Sequence, residues 1–102
     1  VVLLFEHHRQ EIVVLAWIRP SLVDECVDAY SRLDIMLNNA GVYPEPGRFH
    51  ERPDEHLDHA YAVNVKGVWN GSKHAVLQFL EQGDGGNIIN LVSTAGLFGW
   101  QE

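Results

Sequence analysis

Short apolar runs of strand length alternate along this chain with longer amphipathic stretches, and this alternation constrains the fold more than any other feature. Strands are predicted at residues 11–16, 34–37 and 87–91, where β-branched and other apolar residues cluster. Helices are predicted at residues 20–30 and 53–82, where apolar residues recur at helical spacing. Strands separated by helices predict an α/β fold with a parallel sheet that helices cover on both faces.

Two polar turns follow predicted strands, at residues 38–41 and 93–96. In parallel α/β sheets ligands bind at the carboxyl ends of the strands, so both turns are candidate site elements. Ala40 and Gly41 are small enough to let the backbone approach a ligand closely. Because neighbouring parallel strands lie about 4.8 Å apart, we expect Asn39 and Ser93 at the same edge, within roughly 15 Å of each other.

The composition excludes several classes of function. A net charge of −7 disfavours nucleic acid as a partner, because its phosphates carry the same sign. Cys26 is the only cysteine, which excludes an internal disulfide and predicts a reducing compartment, the cytoplasm. No apolar run approaches the roughly 18 residues of a membrane-spanning helix, so no membrane partner is expected. The six histidines lack the spacing of a metal motif, and a solvated role is predicted for them.

Four segments resemble, in order, the motifs of the short-chain dehydrogenase/reductase family. They are Leu-Asp-Ile-Met-Leu-Asn-Asn-Ala-Gly at residues 33–41, Val-Asn-Val-Lys-Gly at 63–67, Gly-Asn-Ile-Ile-Asn-Leu-Val-Ser at 86–93 and Ala-Gly-Leu-Phe-Gly at 95–99. The resemblance covers residues 22–99, roughly three quarters of the chain. It implies an incomplete Rossmann-like α/β fold with a doubly wound parallel sheet, and a partial NAD(P)-binding domain over residues 1–102.

The resemblance also implies roles for individual residues. Asn39, Ala40 and Gly41 would contact NAD or NADP beside the adenosine ribose and brace the sheet. Ser93 would hydrogen-bond the oxygen of a small alcohol or ketone, and Asn64, expected to pack nearby, would anchor a water-mediated proton relay. Each residue also has a structural alternative: a plain turn at Asn39, an Asn satisfied within a helical bundle at Asn64, and a serine without a catalytic role at Ser93.

The sequence departs from the family pattern towards both ends. No glycine precedes Gly41, so the glycine-rich dinucleotide turn is absent from this chain. The family's catalytic Tyr, and the Lys that follows it, would fall beyond Glu102. Residues 1–5 could correspond to the family's second strand, with Glu6 near its ribose-binding acid, and residues 17–20 stand where an Asp usually ends the third strand. The sequence therefore leaves open whether residues 1–20 belong to the domain.

These features predict a fragment of an NAD(P)-dependent oxidoreductase that acts on a secondary alcohol or ketone and is inactive on its own. The alternative is a non-catalytic remnant that serves as a binding or oligomerisation module. Gly67 and Gly71 lie four residues apart on an apolar helix, where glycine is costly, so close helix packing is expected. The resemblance implies that this helix pairs with its copy in a homo-oligomer; packing within the chain is the alternative.

Overall fold

Four strands and a series of helical segments make up the computed structural model, which describes residues 4–7, 11–15, 21–43 and 45–98. The strands are β1 (Leu4–His7), β2 (Glu11–Leu15), β3 (Ile35–Asn38) and β4 (Asn87–Asn90), and they form one sheet in that order. The helices are α1 (Ser21–Tyr30), α2 (Asp54–Tyr61), a π-helical segment (Ala62–Gly67) and α3 (Val68–Gln82). Short 3-10 turns lie at Phe49–Glu51 and Thr94–Gly96.

The last three strands run parallel, as the sequence predicts. β2 pairs with β3 and β3 pairs with β4, so that Met36 lies beside Ile88. The helix α2, the π-helical segment and α3 follow one another without a gap, which confirms the predicted long helix between β3 and β4. Gly83 ends this helix, because its left-handed backbone (φ 84°) lets its N–H reach the carbonyl of Phe79 at 3.2 Å.

β1 is antiparallel to β2, so the sheet is mixed. The suggested correspondence of residues 1–5 to the family's second strand is therefore wrong for Leu4 and Phe5, and residues 1–3 lie outside the described residues. Only residues 8–10 separate β1 from β2, whereas a parallel connection needs about a dozen residues or more. β2 is also hydrogen-bonded directly to β3. If β1 and β2 were the second and third strands of the common doubly wound order 3-2-1-4-5-6, β3 would be the fourth. The third and fourth strands of that order are not neighbours. β1 and β2 therefore do not reproduce the second and third strands of that order.

The core lies between one face of the sheet and the helices α1 and α3. Its buried side chains are Leu22, Val23, Cys26, Leu33, Met36, Ala75 and Phe79. Alternation along β3 places Ile35 and Leu37 on the face opposite Met36, and Ile89, the neighbour of Leu37, is 46% exposed. Within the described part of the chain, helices thus cover one face of the sheet, and the expected covering of the second face is not found.

A narrow stripe of the long helix faces this core. Gly71, Ala75 and Phe79 are buried at four-residue spacing. Many of the apolar side chains that recur along this helix are instead exposed. Six of them, 44–74% exposed, are Leu57, Tyr61, Val65, Trp69, Val76 and Leu80. α3 also contacts α1 and β3 within the described part of the chain.

Polar side chains fasten the amino end of β3 to the end of α3. The side-chain amide of Gln82 donates to the Leu33 carbonyl (2.7 Å) and accepts from the Leu33 N–H (3.2 Å). The Arg32 guanidinium donates to the carboxylates of Asp34 and Asp84, at 2.9 Å each. These two carboxylates raise the pKa of Arg32. The start of β3, the end of α3 and the loop that leads to β4 are thereby held together.

Candidate functional site

β3 ends in a buried polar residue at the carboxyl edge of the sheet. Asn38 is 3% exposed. Its side-chain amide donates to Asn90 Oδ1 (2.7 Å) and to Ser72 Oγ (3.1 Å), and its backbone carbonyl accepts from the Leu91 N–H (3.0 Å). A buried amide needs such partners, because leaving it unpaired costs free energy. Asn38 therefore joins β3, β4 and α3 at the point where the predicted turn begins.

Residues 39–41 leave this buried anchor as an irregular turn. Asn39 and Gly41 are exposed, and Ala40 is half-buried. A Cβ built on Gly41 would meet Asn64 Oδ1 at 3.7 Å, which is an ordinary contact distance. Contacts with the described residues therefore do not require a glycine at this position, whereas close approach of a ligand to the backbone would.

Asn64 lies in the π-helical segment and holds the chain just after this turn. Its Oδ1 accepts from the Val42 N–H and its Nδ2 donates to the Val42 carbonyl, both at 2.9 Å. The side chain thus satisfies both backbone groups of Val42, as a neighbouring strand would. Single π-helical turns occur frequently at functional sites, and here the π-helical segment carries the residue that positions the loop.

Ser93 follows β4 and begins the 3-10 turn Thr94–Gly96. Its Oγ accepts a hydrogen bond from the Ala95 N–H at 3.1 Å, so the side chain caps the turn. A hydroxyl that accepts one bond retains a proton to donate, and Ser93 is exposed. The local geometry leaves this hydroxyl able to donate to a bound molecule.

One cleft of about 530 Å³ brings the predicted residues together. Its lining residues are Asn39, Ala40, Gly41, Val42, Tyr43, Asn64, Val68, Leu91, Val92, Ser93 and Ala95. The structure thus places residues 39–41 and Ser93 at one edge of the sheet with Asn64 beside them. Among these described lining residues, Tyr43 carries the only ionisable side chain, so the rest of the cleft is neutral.

The exposed face of α3 lacks the features of a small-molecule site. A groove of about 690 Å³ along the exposed face of α3 has a mainly apolar lining, without the convergent polar groups of a ligand site. No cluster of three metal-ligating side chains occurs among the described residues. None of the described helices has the length and hydropathy needed to cross a membrane.

The predicted turn at residues 38–41 includes Asn38 but gives it no partners, and three further residues of this edge are not predicted from the sequence: Ser72, Asn90 and Tyr43. Asn38 and Asn90 carry a detectable signal, because each is a polar residue at the end of an apolar strand run, and parallel strands place such residues side by side. Ser72 carries no such signal, since its role depends on how α3 lies along β3. Tyr43 lies after the predicted turn at residues 38–41 and before the predicted helix at 53–82, outside every predicted element.

The short chain dehydrogenase family model matches residues 19–102. The chain belongs to this family. An uncharacterized oxidoreductase from Thermotoga maritima is 47% identical over 78 residues, which are 76% of this chain and 30% of that protein. The (-)-trans-carveol dehydrogenase of Rhodococcus erythropolis is 35% identical over 99 residues, with 92% of this chain and 36% of that protein covered. This member of the family thus spans about a third of the length of these relatives.

Solved structures confirm the Rossmann-like α/β fold of this short-chain dehydrogenase segment. Acetoin dehydrogenase from Enterobacter cloacae has a TM-score of 0.72 at 28% identity, with 81% of this chain and 32% of that chain covered. A variant of ElxO with NADPH bound has a TM-score of 0.69 at 27% identity, with 79% of this chain and 32% of that chain covered. The shared part is again about a third of each solved chain.

Proposed function

We propose that this chain supplies part of the catalytic domain of an NAD(P)-dependent oxidoreductase that interconverts a secondary alcohol and a ketone. One observation carries the proposal: residues 39–41, Asn64 and Ser93 line a single cleft at the carboxyl edge of the sheet. Ligands of doubly wound sheets bind at that edge. Relatives described as an oxidoreductase and as a carveol dehydrogenase support hydride-transfer chemistry and give no support to a non-catalytic remnant.

In this proposal residues 39–41 contact the cofactor. Asn39 and Gly41 are exposed, so the Asn39 side chain and the Gly41 backbone can offer hydrogen-bonding groups to the cofactor. When it is bound, the nicotinamide group supplies or accepts the hydride. The solved relative with NADPH bound supports a nicotinamide cofactor, and the proposal covers both NAD and NADP.

Ser93 holds the substrate oxygen in this proposal. Because its Oγ already accepts from the Ala95 N–H, its hydroxyl proton is available to the carbonyl or alcohol oxygen and orients the substrate carbon. Asn64 contributes by fixing Val42, since both polar atoms of its side chain are used there. Its part in a proton relay is therefore one of positioning.

Proton transfer is assigned to a Tyr with a Lys partner, a pair that the described cleft does not supply, because no Lys lines it beside Tyr43. Residues 94–102 contain neither Tyr nor Lys, and the chain spans about a third of its relatives. We therefore assign the complete activity to a polypeptide that contains this segment, with residues 1–102 forming part of its NAD(P)-binding domain. The free, buried Cys26 supports a cytoplasmic location.

The exposed apolar face of α3 is proposed to form a homo-oligomer interface. Val65, Trp69, Val76 and Leu77 line the groove there and are 44–69% exposed. Exposed apolar patches of this kind mark interaction surfaces. Sedimentation velocity on the native chain and on Trp69→Glu checks this: association in the native chain should weaken in the variant, and equal sedimentation would refute the interface.

A graft into a relative tests the proposed function directly. In the test protein this chain replaces the matched stretch of the carveol dehydrogenase, which supplies the remaining segments. We expect carveol-dependent reduction of NAD⁺ or NADP⁺. Removing one preorganised donor to the reacting oxygen typically costs roughly 10²–10³-fold in kcat, so Ser93→Ala should lose activity by about that factor.

Thr94→Ala is the matched control, because it deletes the neighbouring hydroxyl, which does not line the cleft. We expect this variant to keep nearly all the activity of the graft. Circular dichroism and cofactor fluorescence establish that each protein is folded. A folded graft that binds cofactor but shows no turnover would refute the proposal, as would equal losses in Ser93→Ala and Thr94→Ala.

A further inference from the structure

Polar side chains of α3 hold β3 at both of its ends. Gln82 is hydrogen-bonded to Leu33, two residues before the strand, and Ser72 is hydrogen-bonded to Asn38 at its carboxyl end. Ten residues of helix, at 1.5 Å per residue, span about 15 Å. The five-residue step from Leu33 to Asn38, at about 3.3 Å per residue of extended chain, spans about 16 Å. The two contacts match in spacing, and they fix where α3 lies along β3, which runs in the opposite direction.

The contact at the carboxyl end is the one that reaches the candidate site. Asn38 is 3% exposed, and among the described residues its Oδ1 has no hydrogen-bond partner. The orientation of its side chain therefore rests on the two bonds from Nδ2, one to Ser72 and one to Asn90. Losing either hydrogen bond leaves the buried side chain of Asn38 with only one hydrogen bond to fix its orientation.

Asn38 lies between the two halves of the cleft. The turn at residues 39–41 begins at the next residue, so the orientation of Asn38 sets the direction in which this turn leaves the strand. On the other side, Asn90 and Leu91 both bond Asn38, and Ser93 follows them closely. The Ser72 hydroxyl, which does not line the cleft, can thus influence the spacing between the turn at residues 39–41 and Ser93.

We propose that Ser72 is a positioning residue, whose hydroxyl acts through Asn38 to fix the distance between the turn at residues 39–41 and Ser93. The inference rests on the proposed function, in which the turn binds the cofactor and Ser93 binds the substrate oxygen. If these contacts only stabilised the fold, removing the one at either end of β3 would affect the cleft equally. Gln82 provides that comparison, because it makes the same kind of helix-to-strand contact at the end remote from the cleft.

Backbone ¹⁵N relaxation on the 102-residue chain tests the geometry. Order parameters are about 0.85 for rigid backbone and below about 0.6 for flexible backbone. We expect Ser72→Ala to lower the values at Asn39, Gly41 and Ser93 towards the flexible range. Ser72→Thr, which keeps a hydroxyl, should restore them. Gln82→Ala should loosen Leu33 and leave the cleft residues unchanged.

Kinetics in the grafted enzyme give the second measurement. A net hydrogen-bond contribution corresponds to roughly a 2–10-fold effect, so Ser72→Ala should raise KM for the cofactor and lower kcat within that range. Gln82→Ala should lower the melting temperature and leave both constants unchanged.

Unaltered order parameters and kinetics in Ser72→Ala, or equal effects of Ser72→Ala and Gln82→Ala on the cleft, would overturn the inference. A folded graft without turnover refutes the proposed function instead, and the relaxation data then still decide whether Ser72 positions the turn.

Discussion

Cys26 lies in the core with 0% exposure, and its Sγ lies 3.6 Å from the Arg32 carbonyl, to which it donates. Burial, with a further contribution from the negative charge of Asp34, raises the pKa of the thiol from its ordinary value of 9.0 to about 11. The neutral thiol is therefore favoured in the folded chain. Between these two values the unfolded chain has released its proton while the folded chain retains it, so stability falls as the pH rises.

We expect the native chain to lose up to about 3 kcal/mol of unfolding free energy across this pH window, relative to Cys26→Ala. The variant should be less stable at pH 8, because it leaves a small cavity, but its stability should depend less on pH above that. Urea unfolding at closely spaced pH values measures both curves. Curves that run parallel through the window would show that the thiol is not the responsible group.

At the residue scale, the sequence predicts a site residue only where that residue lies in a recognisable local motif. Asn39, Asn64 and Ser93 lie in short segments that resemble family motifs, so each can be located in the cleft from sequence. Ser72 and Asn38 meet because a helix lies at a particular height along a strand. That height depends on core packing, which a single sequence does not reveal.

Close packing between α3 and the start of β4 leads to a prediction at the scale of elements. A Cβ built on Gly86 would overlap the ring of Phe79, which is 9% exposed. Forcing extra volume into such a contact typically costs 1–3 kcal/mol, so we expect Gly86→Ala to lower the free energy of unfolding by roughly that amount.

Gly47→Ala is the matched control for this prediction, since a Cβ there meets nothing within 4 Å. Chemical denaturation of both variants measures the difference. Trimming the ring in the double variant Gly86→Ala, Phe79→Leu should recover part of the loss. Equal stability of the two alanine variants, or no recovery in the double variant, would show that the overlap is relieved without cost.

The element order from β2 onwards follows from apolar periodicity, whereas the direction of β1 does not. Two β-branched runs contain no information about their relative direction, and the resemblance to a parallel fold suggests the wrong one. The length of the connection was the informative signal. Residues 8–10 are enough for a hairpin and too few for a parallel crossover. The π-helical segment at Ala62–Gly67 also escapes sequence reasoning, because it differs from its α-helical neighbours in hydrogen bonding and not in hydrophobic period.

At the scale of the whole molecule, the described chain leaves two apolar surfaces open. One is the outer face of α3, where Trp69 is 69% and Leu80 is 74% exposed. The other is the sheet face that carries Ile35, Leu37 and Ile89. Surfaces of this kind in a folded chain mark contacts with other protein segments. The chain spans about a third of the length of its relatives, and we propose that further segments of the same protein cover the sheet face.

The 102-residue chain by itself is expected not to turn over any secondary alcohol or ketone with NAD or NADP. Loss of a general acid/base typically lowers the rate 10²–10⁴-fold, and among the described residues of the cleft Tyr43 carries the only ionisable side chain. The chain also has no glycine before Gly41, so it lacks the glycine-rich turn that presents backbone N–H groups and a helix N-terminus to pyrophosphate. Cofactor affinity should therefore be weak as well.

The measurement is an NADH titration of the purified chain followed by cofactor fluorescence, together with a turnover assay on a panel of secondary alcohols. Saturable micromolar binding with measurable turnover would show that the cleft formed by residues 39–41, Asn64 and Ser93 is sufficient for catalysis.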